Sequence, residues 1–324
     1  MKLIRITALA IGVLFLPVLT AAAEPSFPDK PVKLVVPFAV GGGTDMLGRI
    51  VAERLSTVWK QSVVVENRTG VGGTIGADYV AKQKSDGYTI LLGTASTHAV
   101  APTYRPHLPY NVERDFVAVS EVATQPMVLV VPTSLPVKSL ADFVAYAKSK
   151  NGDIPYDGSQ GTAPHMAMEL LAARAGMKMV LPISYRGSSA ALIDIVSGQL
   201  DAGFNDVPPS VNFIREGKLR ALAVTSPTRN ALIPEVPTVA ESGYPGYDAD
   251  VWLGLFAPAG TPPAIVEKIA VDLKAALRDP DAIKKLQDGG YSPVASTPSE
   301  FSVRVRNDIQ KWGKILNDAG IKMQ

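Results

Sequence analysis

The 324-residue chain contains no cysteine. Disulfides, thiolate metal sites, cysteine nucleophiles and a lipid-modified N-terminal cysteine are therefore excluded, and the absence suits an oxidising compartment in which stray thiols are a liability. Histidine is scarce too: His98, His107 and His165 are the full set, and they show no metal-ligand spacing. Net charge is also missing. Lys and Arg total 32 against 30 acidic residues, and two of the basic ones, Lys2 and Arg5, sit in an apolar leader. Without that leader the charges balance, which offers nothing to a nucleic-acid backbone or an anionic membrane surface. No G-x-x-x-x-G-K-[ST] phosphate loop, low-complexity tract or internal repeat occurs.

Long apolar runs are confined to the start. Lys2 and Arg5 precede an apolar run over 6–19, and Ala21-Ala22-Ala23 follows as a small-residue cleavage site. This pattern predicts an exported chain whose signal peptide, residues 1–23, is removed before Glu24. A membrane span expects ~20 uninterrupted apolar residues, and Pro17 with the small-residue exit argues against one. The remaining chain, about 300 residues at 47% apolar overall, is long enough for two α/β domains with cores of their own.

Short β-branched runs alternate with helical periods. Strands over 32–37, 62–66 and 88–93 flank helices over 45–60 and 74–84, the βαβ pattern of a parallel sheet. Leu47, Ile50, Val51, Leu55 and Val58 form one buried stripe on the first helix, with Thr44 or Asp45 placed to cap its start. A second series places strands over 154–156, 179–185, 200–204 and 219–225 and helices over 164–175 and 189–197. Extended stretches over 116–132 and 247–258 cross between the two series, which implies a hinge. Helices over 264–277, 281–288 and 298–319 complete the first half. The expected domains are 24–124 plus 248–324, and 125–247.

The richest stretch runs from Val35 to Asp45, where a β-branched run stops at Gly41-Gly42-Gly43 and an amphipathic helix begins. Gly-rich backbone followed by the unpaired donors of a helix N-terminus is a cradle for a small anion. Further Gly- or Ser-rich loops over 70–76, 158–162 and 187–189 also sit where strands hand over to helices, the edge at which open α/β sheets bind ligands. A dinucleotide fingerprint starting at Gly70 fails, because glycine is required where Ile75 stands. Asp157 likewise occupies a glycine position of a G-x-S-x-G elbow around Ser159, although His98 and His165 could face one another as in a Ser/His hydrolase. Asn205-Asp206 ends one strand and Arg186 follows another; Arg186 either pairs with a ligand carboxylate or is a solvated surface residue.

Together these stretches resemble a known family. Val35-Val36-Pro37-Phe38 through Gly42-Gly43-Thr44-Asp45, Val65-Glu66-Asn67-Arg68 with Gly70-Val71-Gly72-Gly73, Asp86-Gly87-Tyr88-Thr89, Tyr185-Arg186-Gly187-Ser188, the run 217–225 and Phe256-Ala257-Pro258-Ala259-Gly260-Thr261-Pro262 are similar to the Bug-type periplasmic solute receptors of tripartite tricarboxylate transporters. The resemblance implies an α/β, two-domain type II periplasmic binding protein fold with a two-strand hinge and central cleft. It also implies a monomeric receptor, without cofactor or metal, that delivers its ligand to membrane permease subunits. A ligand carboxylate is then gripped by Phe38 with Gly41, Gly42, Gly43, Thr44 and Asp45, and from the other side by Ser159, Gln160, Gly161, Thr162 and His165. The rest of the ligand lies near Thr94, Ser96 and Thr97, near Tyr185, Arg186 and Gly187, and near Asn205 and Asp206. Two positions depart from the family, which commonly has Asp-Asn at 205–206 and Lys at 186. The first departure weakens a site for a ligand ammonium and favours mono- or dicarboxylates, aromatic ones included. Presentation of the ligand to a membrane sensor is the alternative within this reading, and a secreted hydrolase is the lesser one.

Overall fold

The computed structural model describes residues 27–105, 107–158, 161–185 and 187–318. The expected signal peptide, Ser159, Gln160 and Arg186 lie outside the described residues. β1 (Val32–Val36), α1 (Gly43–Trp59), β2 (Val63–Asn67), α2 (Thr74–Ala81) and β3 (Thr89–Thr94) form the expected parallel start, with β1 hydrogen-bonded to β2 and β3. β1 is apolar on both faces except at Lys33 because helices cover both sides of the sheet. After β3 a π-helical turn, Ser96–Val100, runs into α3 (Ala101–Tyr104) and then α4 (Val112–Asp115), which the Asn111 side chain caps by accepting from the Glu113 and Arg114 N–H groups.

The extended stretch 116–132 is two strands in two sheets. β4 (Phe116–Gln125) belongs to the first sheet and β5 (Met127–Pro132) to the second, with Pro126 between them. Pro126 has no N–H to offer a ladder, so both pairings can stop there without a stranded donor. The chain continues through α5 (Leu140–Ser149), β6 (Pro155–Asp157), α6 (Ala163–Ala175), β7 (Leu181–Ile183), α7 (Ser188–Val196), β8 (Ala202–Asp206), α8 (Val207–Arg215) and β9 (Leu219–Val224). It returns through 225–250 to β10 (Val251–Pro258) in the first sheet, then α9 (Pro263–Ala276), α10 (Pro280–Asp288), β11 (Ser292–Pro293) and α11 (Pro298–Asp318).

The first sheet has the order β11-β4-β10-β3-β1-β2 and the second β7-β6-β8-β5-β9. Both are mixed: the parallel pattern expected over 32–93 holds for β1, β2 and β3, and antiparallel pairings are added to it. The crossing strands enter against the grain: β10 is antiparallel to β3, and β5 is antiparallel to β8 and β9. One apolar core joins the two sheets through Val35, Leu91, Leu129, Tyr156, Phe204 and Trp252. A second lies under α1 and α9, and a third under α7 and α8, so helices cover both faces of each sheet.

Candidate functional site

The carboxyl ends of β1, β3, β6 and β8 open onto one gap, and the crossing strands β4 and β5 pass along its floor. A cavity of about 510 Å³ lies there. Phe38, Gly42, Gly43, Thr44, the 70–73 loop, Thr94, Ser96 and Arg105 line it from one side, and Asp157, Thr162, Ala163, Pro164, Tyr185, Gly187, Ser188 and Asp206 from the other. Gln125, Met127 and Val251 lie where the strands cross. The first turns of α1, α6 and α7 therefore meet around one space, from both sheets.

The start of α1 differs from the sequence expectation. Its N-cap is Gly42, which makes no side-chain cap, and neither Thr44 nor Asp45 plays that part. Asp45, 1% exposed, turns behind the loop, where it accepts from the Gly41 N–H at 3.0 Å, Arg49 Nε at 3.0 Å and Asn67 Nδ2 at 2.9 Å. Burial alone would raise its carboxyl, but the hydrogen bonds from Arg49, Gly41 and Asn67 outweigh burial and hold it below the usual carboxylate range. Asn67 also donates to the Phe38 carbonyl at 3.0 Å, so the cradle is braced from outside the cavity. The Gly42 N–H is used by the Ala39 carbonyl, that of Gly43 by Asp206 Oδ2 at 3.2 Å, and the first intrahelical bond runs from Met46 to Gly42. Helix geometry then leaves the N–H groups of Thr44 and Asp45 without an intrahelical acceptor.

Hydrogen bonds join the two sides of the gap. The Ala163 N–H, at the start of α6, donates to Ser96 Oγ at 2.8 Å, and Ser189 Oγ donates to the Gly41 carbonyl at 3.3 Å. Asp206 accepts from Ser188 Oγ at 2.7 Å as well as from Gly43. The 70–73 loop closes one wall: Val71 sits at φ 49°, an unusual setting for a β-branched residue, and a Cβ on Gly73 would lie 2.7 Å from Thr97 Cγ2.

Of the residues expected in the site, Phe38, Gly42, Gly43, Thr44, Thr94, Ser96, Thr162, Tyr185, Gly187 and Asp206 line the cavity. Gly41, Asp45, Thr97, Gly161, His165 and Asn205 do not. Thr97 Oγ1 is spent on the Thr94 backbone and on His98, and the Gly161 N–H donates to His165 Nδ1 at 3.3 Å. Asn205 is fully buried in β8, where successive side chains alternate, and Asp206 is the one that reaches the cavity. The lining residues Gln125, Asp157 and Arg105 stand outside the sequence expectation, while Ser188 falls in the 187–189 loop that the sequence places at the ligand edge. Asp157 was visible only as a departure from the nucleophile elbow, and Gln125 carries no local signal, because its position comes from the strand crossing.

Nor do the histidines assemble at the cavity. His98 is fully buried, stacked on Phe256 with ring centroids 3.9 Å apart, and burial lowers its pKa to about 3. Burial likewise lowers His165 to about 4. Asp157 moves the other way: burial, with a contribution from the Asp206 charge, raises it to about 8.

The sequence pattern described as "Tripartite tricarboxylate transporter family receptor" matches residues 47–321. Protein BugT of Bordetella pertussis is 36% identical over 301 residues, spanning 92% of each chain. Among solved structures, an R. palustris protein with adipate superposes with a TM-score of 0.87 at 36% identity, covering 91% of this chain and 99% of that one. MatC from Rhodopseudomonas palustris with bound malate gives 0.83 at 31%, covering 90% and 100%. The periplasmic binding protein BugD gives 0.86 at 32%, covering 92% and 100%.

Proposed function

We propose, since the chain belongs to the tripartite tricarboxylate transporter receptor family, that it is a periplasmic receptor which traps a small carboxylate in the cleft and delivers it to the membrane subunits of such a transporter. The single observation that carries this reading is the meeting of three helix N-termini, from both sheets, around a cavity of about 510 Å³. The free Thr44 and Asp45 amides, at the positive end of α1, receive the ligand carboxylate. On this reading residues 24–124 with 248–324 form one lobe and 125–247 the other, the chain crossings at Pro126 and 225–250 act as hinges, and 1–23 is the cleaved export signal. Ligand contacts made from both lobes at once exist only in the closed form and shift the balance toward it, which the permease can then read. No bond is made or broken.

A thermal-shift screen of organic acids, followed by calorimetric titration, tests this. The expected result is saturable binding of one acid per chain, with the acid recovered unchanged. An absence of binding by every acid, or turnover of one, overturns it.

A further inference from the structure

Two chain crossings join the sheets, and one side chain touches both. Thr225, fully buried directly after β9, donates its N–H to the Met127 carbonyl at 2.9 Å and accepts from the Met127 N–H on Oγ1 at 2.9 Å. Met127 opens β5 immediately after Pro126, so this pair ends the second sheet at the first crossing. The same hydroxyl donates to Asp250 Oδ1 at 3.2 Å, and the Thr225 carbonyl accepts from the Ala249 N–H at 3.4 Å. Asp250 stands one residue before β10, whose Val251 pairs with Gln125 at the end of β4. The Thr225–Asp250 bond therefore runs from the ladder of the second sheet to that of the first. Neither residue lines the cavity, although Gln125, Met127 and Val251 beside them do.

We infer that Thr225 and Asp250 are positioning residues of the cleft: their hydrogen bond, made across the two crossings, favours the closed arrangement from beneath without touching the ligand. The inference rests on the two-lobe reading, in which 125–247 turns against the rest of the chain. The arrangement seen is closed, since the bonds of Ala163 to Ser96, Ser189 to Gly41 and Gly43 to Asp206 span the gap. Opening turns one ladder against the other at Pro126. A hydrogen bond tolerates a narrow range of distance and angle, so groups carried by different ladders lose it when the ladders rotate. The loss is costly here because a hydroxyl carries one proton. The Met127 N–H takes the acceptor side of Thr225 Oγ1, the proton is committed to Asp250, and without that partner a buried donor is left unpaired.

The test is small-angle X-ray scattering of the mature, ligand-free chain at about pH 8.5, above the value of about 7 to which burial and the neighbouring Asp248 raise Asp250. Asp250→Ala removes the acceptor and keeps the Thr225–Met127 pair. It should raise the open-to-closed ratio about fivefold, the worth of one hydrogen bond, seen as a larger radius of gyration. Thr225→Val, close in shape but without the hydroxyl, should open the cleft likewise and also melt lower, because the Met127 N–H loses its acceptor. Thr225→Ser and Asp250→Asn keep donor and acceptor and should scatter as the wild type does. The double variant Asp250→Ala with Thr225→Val should open no further than the more open single one. Wild-type radii in both single variants overturn the inference, as do opening in Thr225→Ser equal to that in Thr225→Val and a fully additive double variant. If Thr225→Val does not fold, Asp250→Ala decides alone. No acid is present in these measurements, so their failure leaves the carboxylate reading standing, and that reading fails separately in the binding screen.

Discussion

Gly42 and Gly43 are adjacent and both line the cleft, yet their constraints differ. A Cβ on Gly42 would meet only the Ala39 carbonyl at 3.4 Å, while one on Gly43 would lie 2.3 Å from Gln125 Nε2 and 3.0 Å from Asp206 Oδ2. An aspartate at the N-cap position 42 can accept from the Thr44 and Asp45 amides, the groups assigned to the ligand. Gly42→Asp should therefore keep or raise the melting temperature while removing carboxylate binding. Melting curves and calorimetry on the same sample check both halves. Gly43→Ala should fold but displace Gln125 and Asp206, weakening ligand affinity by about tenfold or more in the same titration. Asp157 offers a pH test. Its folded pKa of about 8 lies above the ordinary carboxylate value, so its stabilising contribution is full at pH 4 and is lost as pH rises toward 8. Asp157→Asn should match the wild type in melting temperature near pH 4 and exceed it at pH 8.5. Parallel profiles for the two proteins would contradict the assignment. At this scale the sequence makes the glycine cradle legible, because glycines before a helix have a local meaning. Gln125 and Asp157 are not legible, since only the meeting of distant strands makes them lining residues.

The elements show the same division. The stripe of Leu47, Val51 and Leu55 is readable as the buried face of α1, and the helix runs close to where the spacing predicts. α5 lies outside the sequence expectation although its signals are local: Ser139 caps it, accepting from the Asp142 N–H, and Leu140, Phe143, Val144 and Ala147 form its buried face. α8 was hidden behind Val207-Pro208-Pro209, which reads as a break but supplies proline in the first turn, where no N–H is needed. The strand expected over 179–185 is shorter, Leu181–Ile183, and lies at the edge of its sheet. Packing between elements yields one prediction. A Cβ on Gly254 of β10 would lie 2.1 Å from Phe301 Cζ in α11, whose ring is fully buried, and 2.9 Å from the Ser120 carbonyl. Gly254→Ala should thus cost about 1–3 kcal/mol by overpacking, measured by urea denaturation. A change below about 0.5 kcal/mol would show that α11 can move away from the sheet.

For the molecule as a whole, the alternation of strand and helix was enough to indicate two α/β units. Mixed strand direction was not, because it follows from the crossing strands β5 and β10, and the short β11, running against their neighbours. The crossings also bring loops more than 100 residues apart into contact: Gly43 and Asp206 are 163 positions apart, and Gly41 and Ser189 are 148 apart. Such bonds have no sequence signature, yet they hold the two sides of the cleft together, so ligand affinity depends on the closed arrangement as well as on the cradle. The central claim is that a small organic acid lies between the two sides with its carboxylate on the first turn of α1. A crystal structure of the protein with an acid found to bind tests it most directly. The account predicts carboxylate oxygens within about 3.2 Å of the Thr44 and Asp45 amide nitrogens, with residues of both sheets touching the ligand. A ligand held by one side alone, or away from that turn, would contradict it.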